Sequence, residues 1–103
     1  MLNTIKRALG LSNEDMIGSI SAFAGSYSPH NTLPCEGQIL PIGNNQYTKL
    51  FSVIGTIYGG DGIKTFALPD LRPTDKKGLK IAWAEGEVPR QVICFEGVYP
   101  QRP

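Results

Sequence analysis

No charge of either sign dominates this chain. Ten Lys and Arg stand against nine Asp and Glu, a formal net charge of +1 over 103 residues, so no large electrostatic field points to nucleic acid or to an anionic membrane. No apolar run approaches the ~18–20 residues that a membrane span requires. The longest begins near Ile17 and is broken by Gly18, Ser19 and Ser21. The stretch after Lys6 and Arg7 turns acidic at Glu14 and Asp15, too soon for a signal peptide. The expectation is a soluble protein, without membrane insertion, made in the cytoplasm. Histidine occurs once, at His30, and cysteine twice, at Cys35 and Cys94. One His with two distant Cys does not supply the four ligands of a structural zinc site, and no cofactor is expected. The two cysteines could form one bridge at most; in a reducing compartment such residues are more often small buried hydrophobes.

What is present suits one globular domain. Apolar residues make up 41% and charged ones 18%, and the length exceeds the ~70–80 residues below which a single core rarely suffices. "MLNTIKRALGL" places Leu2, Ile5 and Leu9 at helical spacing, and Gly10 ends the pattern. A helix of about nine residues is too short to persist alone, so it must dock, on its own domain or on another chain. From Ile17 onward short apolar stretches are cut by Gly, Pro and Asn, the texture of strands and tight turns. "IGSISAFAGSYS" reads as a strand with Ile20, Ala22 and Ala24 facing one way and Ser21, Phe23 and Gly25 the other; "SPHNTLP" reads as a loop. "CEGQILPIGNNQ" holds a short strand, and "KTFALPDL", "LKIAWAE" and "RQVICFEGVY" are further strand candidates. The one internal helix is "QYTKLFSVIG", where Tyr47, Leu50, Phe51 and Ile54 fall at i, i+3, i+4 and i+7 and Gly55 stands at the C-terminal cap. The expected fold class is α+β: mostly short β-strands and loops, one internal helix and a short N-terminal helix.

Between the internal helix and the strand after it lies "GTIYGGDGIK", a glycine-rich loop of the kind that can cradle a phosphate. Gly55 and Gly60 have the separation of a Walker A loop, but Asp61 stands where the lysine belongs, and a carboxylate there repels phosphate. The dinucleotide fingerprint fails at Thr65, which replaces the third glycine. A calcium loop needs several oxygen ligands, and Asp61 stands alone. The alternative is a structural turn in which Gly59, Gly60 and Gly62 supply positive φ angles and Asp61 bonds neighbouring amides. Cys-His catalysis would need a base beside a thiol; His30 lies five residues before Cys35 in a loop. Glu85 and Glu87 flank Gly86 like a solvated hairpin tip. Phe51, Phe66, Trp83 and Phe95 sit within apolar stretches as core, and Lys76, Lys77 and Lys80 read as a solvated loop rather than a phosphate track. No enzymatic constellation emerges.

The ordered series "AFAGSYSP", "LPCEGQILPI" and "YTKLFSVIGTIYGGDGIKTFALPDLR", roughly Gly18 to Arg72, resembles the phage tail collar domain, found in short tail fibres and small phage tail proteins. "VICFEGVYPQRP" also resembles the closing strand and tail of small collar-domain proteins. The chain departs from the family's pattern at Thr32, Leu33 and Pro34, where members commonly carry a tryptophan, and at Pro73, where a Gly often stands. The resemblance implies a compact tail-collar-like domain over residues 18–103 in a non-enzymatic virion tail component, often a homotrimer, in contact with other tail proteins. With 17 residues before the matching region and no glycine-punctuated shaft, a cap or plug is expected, with residues 1–17 as an amphipathic anchoring segment and Leu2, Ile5 and Leu9 as its interface. The alternative is a receptor-binding tip that recognises a host cell-surface glycan or protein through exposed loops around His30 and Lys64.

Overall fold

The structure, a computed structural model, describes residues 16–43 and 45–101. Five short strands form two antiparallel sheets. In the larger one, β5 (Arg90–Cys94) lies between β1 (Ile20–Phe23) and β2 (Thr32–Pro34). The smaller one pairs β3 (Ile39–Pro41) with β4 (Thr65–Ala67), and between these two strands the chain forms helix α1 (Thr48–Ile54).

The C-terminal strand occupies the centre because its sequence suits burial on all sides. Val92, Ile93 and Cys94 are all buried, and Ile93 pairs with Ile20 on one side and Leu33 on the other. A central strand reads as a continuous apolar run for this reason. The core joins the two sheets and the helix: Ile93 and Phe95 from the region of β5, Leu40 and Phe66 from the small sheet, Leu50 and Ile54 from α1, with Ile17, Cys35 and Leu68 closing it. Phe66 and Leu50 are completely buried, each contributing about 1.5–3 kcal/mol. The α1 face is the one its spacing predicts, with Leu50 and Ile54 buried and Tyr47 and Phe51 packed against the core. Gly55 ends the helix at φ 57°, its amide donating to the Phe51 carbonyl.

The α+β expectation is overturned. Among the described residues the regular structure is mostly β-strand, in two small antiparallel sheets, with one seven-residue helix, because turn-forming Gly and Pro cut the apolar stretches short. The short N-terminal helix expected around Leu2, Ile5 and Leu9 lies outside the described residues. Ile17, assigned to the anchoring segment by the sequence, sits in the core, and its amide donates to the Val98 carbonyl. "SPHNTLP" contains a strand after all, since Thr32–Pro34 pairs along the edge of β5 where Pro34 costs no ladder bond. "LKIAWAE" is no strand. Beyond one bridge between Thr74 and Lys80 it turns, the Gly86 amide donating to the Ala82 carbonyl and Glu87 standing at φ 55°.

Alternation also settles how the two cysteines stand. Leu33 and Ile93 are register partners on the core face, and the Cys35 amide continues the ladder to the Gln91 carbonyl, so Cys35 shares that face. Cys94 pairs with Thr32 on the opposite face. Both cysteines are buried and neither is in a disulfide. Burial, reinforced by the Glu36 charge, pushes the Cys35 thiol up to about 11. At pH 8 its thiolate fraction is therefore about one in a thousand. A thiol titration of the native chain at pH 8 is expected to show no fast-reacting cysteine, and two after unfolding without reductant. Fewer than two after unfolding would contradict the opposite-face placement.

Candidate functional site

The glycine loop is built around one carboxylate oxygen. Asp61 Oδ1 accepts the amides of Ile63 at 2.8 Å, Lys64 at 2.8 Å and Thr65 at 3.0 Å. The Asp61 amide in turn donates to Thr65 Oγ1 at 3.2 Å, and the Gly62 amide to the Thr65 carbonyl at 2.9 Å. The amides of Thr65, Ile63 and Lys64 hold the Asp61 carboxyl down at about 2. The donors that would face a phosphate in a nucleotide-binding loop are thus turned onto the loop's own anion.

The glycines serve a close approach of backbone to backbone. The Gly59 carbonyl accepts the Ala67 amide, so the loop runs along the free side of β4 as an irregular third strand. At Gly60, with φ +92°, a Cβ would stand 2.4 Å from Phe66 Cα and 2.7 Å from the Thr65 carbonyl oxygen. No side chain fits there. The result is a braced corner whose exposed tip carries Ile57 and Ile63, 76% and 81% exposed.

The sequence-derived recognition residues are not brought together. His30 lies in the loop entering β2 and borders a cavity of about 250 Å³ with Ser21, Phe23, Pro29 and Thr32. Lys64 is exposed beside β4 in the other sheet and is not among that cavity's lining residues. Leu2, Ile5 and Leu9 lie outside the described residues. Among the described residues no three His, Cys, Asp or Glu side chains group closely enough to hold a metal ion, and no helix is long and apolar enough to cross a membrane.

One polar cluster went unread in the sequence. Arg72 makes a two-pronged contact with Asp70, Nε to Oδ1 at 3.0 Å and Nη2 to Oδ2 at 2.8 Å. This contact holds the Asp70 carboxyl below its ordinary value and the Arg72 guanidinium above its own. Lys80 Nζ donates to the carbonyl oxygens of Asp70 and Arg72. Trp83 Nε1 donates to Glu36 Oε2 at 2.7 Å, and Arg90 Nη1 approaches the same oxygen at 4.0 Å. Glu36 and Asp70 face each other across an antiparallel bridge. The cluster fastens the turning segment 74–89 to the small-sheet end of the fold. The spacing of Asp70 and Arg72 in "PDLR" was the available signal, but Lys80 lies 10 and 8 residues from them, and Trp83 lies 47 residues from Glu36.

Two expected outcomes follow from this geometry. Gly60→Val combines a positive-φ strain of ~1–3 kcal/mol with a main-chain clash, so its thermal midpoint should fall by well over 10 °C, whereas Asp61→Asn, which keeps the Oδ1 acceptor, should shift it by a few degrees. Equal shifts would contradict the braced corner. Because the Asp61 carboxyl is depressed in the folded state, its contribution is complete above its ordinary pKa of ~3.9 and lost as pH falls toward about 2. Amide exchange of Ile63, Lys64 and Thr65, corrected for intrinsic rates, should therefore be flat from pH 5 to 8; a step within that range would contradict it.

Comparison with known proteins fits this architecture. The family model described as Phage Tail Collar Domain matches residues 18–74, which include β1 to β4, α1 and the glycine corner. No curated protein and no solved structure matches the chain. With more than half of its length matched, the chain belongs to the phage tail collar domain family.

Proposed function

We propose that this chain is a non-enzymatic structural component of a bacteriophage or prophage tail, a small collar-domain protein held by contacts with copies of itself and with other tail, collar or baseplate proteins. The collar match over residues 18–74 carries the reading. The surface supports it. Ile57, Ile63, Ile39, Leu79, Val98 and Tyr99 are each more than half exposed, apolar side chains that contact with a neighbouring copy or another tail protein would cover. In this reading Gly59, Gly60, Asp61 and Gly62 form a structural corner, not a ligand site. Residues 1–17, apart from the core residue Ile17, anchor the domain of residues 18–103 through Leu2, Ile5 and Leu9, and the assembled unit is a homotrimer in the virion tail.

A second reading, a receptor-binding tip, is favoured by one observation. The cavity beside His30 combines an aromatic ring, Phe23, with the hydroxyls of Ser21 and Thr32 and an exposed imidazole, groups suited to a sugar ring or a polar peptide. Lys64 would contribute from the other sheet in that case.

Deleting residues 1–11 separates the readings. The structural reading expects a truncated protein that melts like the full-length chain but is missing from purified particles by mass spectrometry. A truncated protein still incorporated at the normal level would contradict anchoring through Leu2, Ile5 and Leu9. Saturable binding of the isolated full-length protein to host cells, lost in His30→Ala, would favour the receptor-binding tip instead.

A further inference from the structure

Among the described residues the edges of β2, β3 and β4 are each bonded or interrupted by proline. The free side of β4 is taken by the glycine loop through Gly59. At the outer side of β2, the Thr32 amide donates to the Pro29 carbonyl, and the Pro34 carbonyl accepts Glu36 N and Gln38 Nε2. Pro34 itself has no amide to offer. On β3 the paired residues are Gln38, Leu40 and Ile42, so Ile39 and Pro41 face outward, and Pro41 blocks an incoming strand.

The outer side of β1 is different. The Cys94 amide donates to the Ser19 carbonyl, with Gly18 bulged opposite. By antiparallel alternation Ser21 and Phe23 then exchange bonds with Val92 and Arg90, and Ile20 and Ala22 turn their N–H and C=O groups off the sheet. Among the described residues nothing bonds these groups. Ile20 is 40% exposed and Ala22 is exposed as well. Two of the devices that protect natural edges, charge and proline, are missing: no charged residue occurs from Met16 to Pro29, and no proline before Pro29.

We propose that β1 is an assembly edge that pairs antiparallel with β1 of a second copy of this chain about a two-fold axis at Ser21. In that register Ile20 of each copy exchanges both main-chain bonds with Ala22 of the other, four hydrogen bonds in all, and the two sheets merge into one of six strands. Ile20 packs beside the small Ala22 of its mate, a large side chain against a small one. The register selects the occupant. The outward groups of Ile20 and Ala22 lie symmetrically about Ser21 and so match those of a second copy, and an uncharged strand meets its own copy without like-charge repulsion. One four-residue strand per copy buries less than the ~1,200 Å² of a stable interface, so the pairing is concentration-dependent in solution and becomes persistent where a tail holds copies close together. A two-fold contact doubles whatever cyclic unit exists: a monomer becomes a dimer, and a trimer becomes a hexamer.

The test is the solution mass of the full-length protein across a wide concentration range, measured for the wild type, Ala22→Pro and Ile20→Lys. Ala22→Pro removes an outward amide that makes no bond among the described residues, and Ile20→Lys places a charge at an exposed site. Near-UV circular dichroism checks that each keeps its fold. The expected result is a wild-type mass that doubles with concentration and at least about tenfold weaker doubling in either variant. Should both variants fold poorly, amide exchange of wild-type Ile20 and Ala22 still decides, since it should slow as concentration rises. A mass that never doubles, doubling that persists unchanged in the folded variants, or exchange independent of concentration overturns the proposal. The deletion of residues 1–11 fails or succeeds separately, because it reads particle incorporation and not mass.

Discussion

The fold depends on β5 reaching its place between β1 and β2. Among the described residues neither of those strands pairs with the other, and each pairs with the five residues Arg90–Cys94. Those pairings join positions about sixty to seventy residues apart, and their closure entropy must be recovered by burying Val92, Ile93 and Cys94. The family match ends at residue 74, so the matched segment relies on a strand beyond its own boundary to complete its larger sheet. The polar cluster of Glu36, Asp70, Arg72, Lys80, Trp83 and Arg90 lies along the intervening path and sets where the chain re-enters the sheet.

The glycine corner serves the same end from the other sheet. Phe66 is completely buried on β4, and Gly60 lies against its main chain. With the loop's amides turned onto Asp61, the corner is rigid at little cost in side-chain volume, and the isoleucines at its tip are presented in fixed positions. Preorganised apolar groups of this kind lose little entropy on association, which suits a protein that works by being assembled.

Legibility in the sequence followed the range of the forces involved. Helix α1 could be read because Tyr47, Leu50, Phe51 and Ile54 repeat within two turns and Gly55 marks the end. Strands β3, β4 and β5 announced themselves as short apolar runs between turn residues. The glycine corner was visible as a turn because Asp61 and the three glycines act on near neighbours. Strand β2 was hidden: its three residues include Pro34, and only the register with β5 makes them a strand. "LKIAWAE" misled in the opposite direction, since its alternation suits a strand while Trp83 is buried through a contact with Glu36, 47 residues away. The α+β expectation failed for a related reason, since one helix was weighed against strands too short to announce their number.

The most direct measurement of the central claim, that a collar-type segment is completed by a distant C-terminal strand, is the thermal unfolding of a chain truncated after residue 74, followed by circular dichroism beside the full-length protein. A cooperative transition is expected for the full chain and none for the truncated one, whose β1 and β2 would lack their shared partner. A cooperative transition in the truncated chain would contradict it, and would mean that residues 18–74 hold their fold without β5.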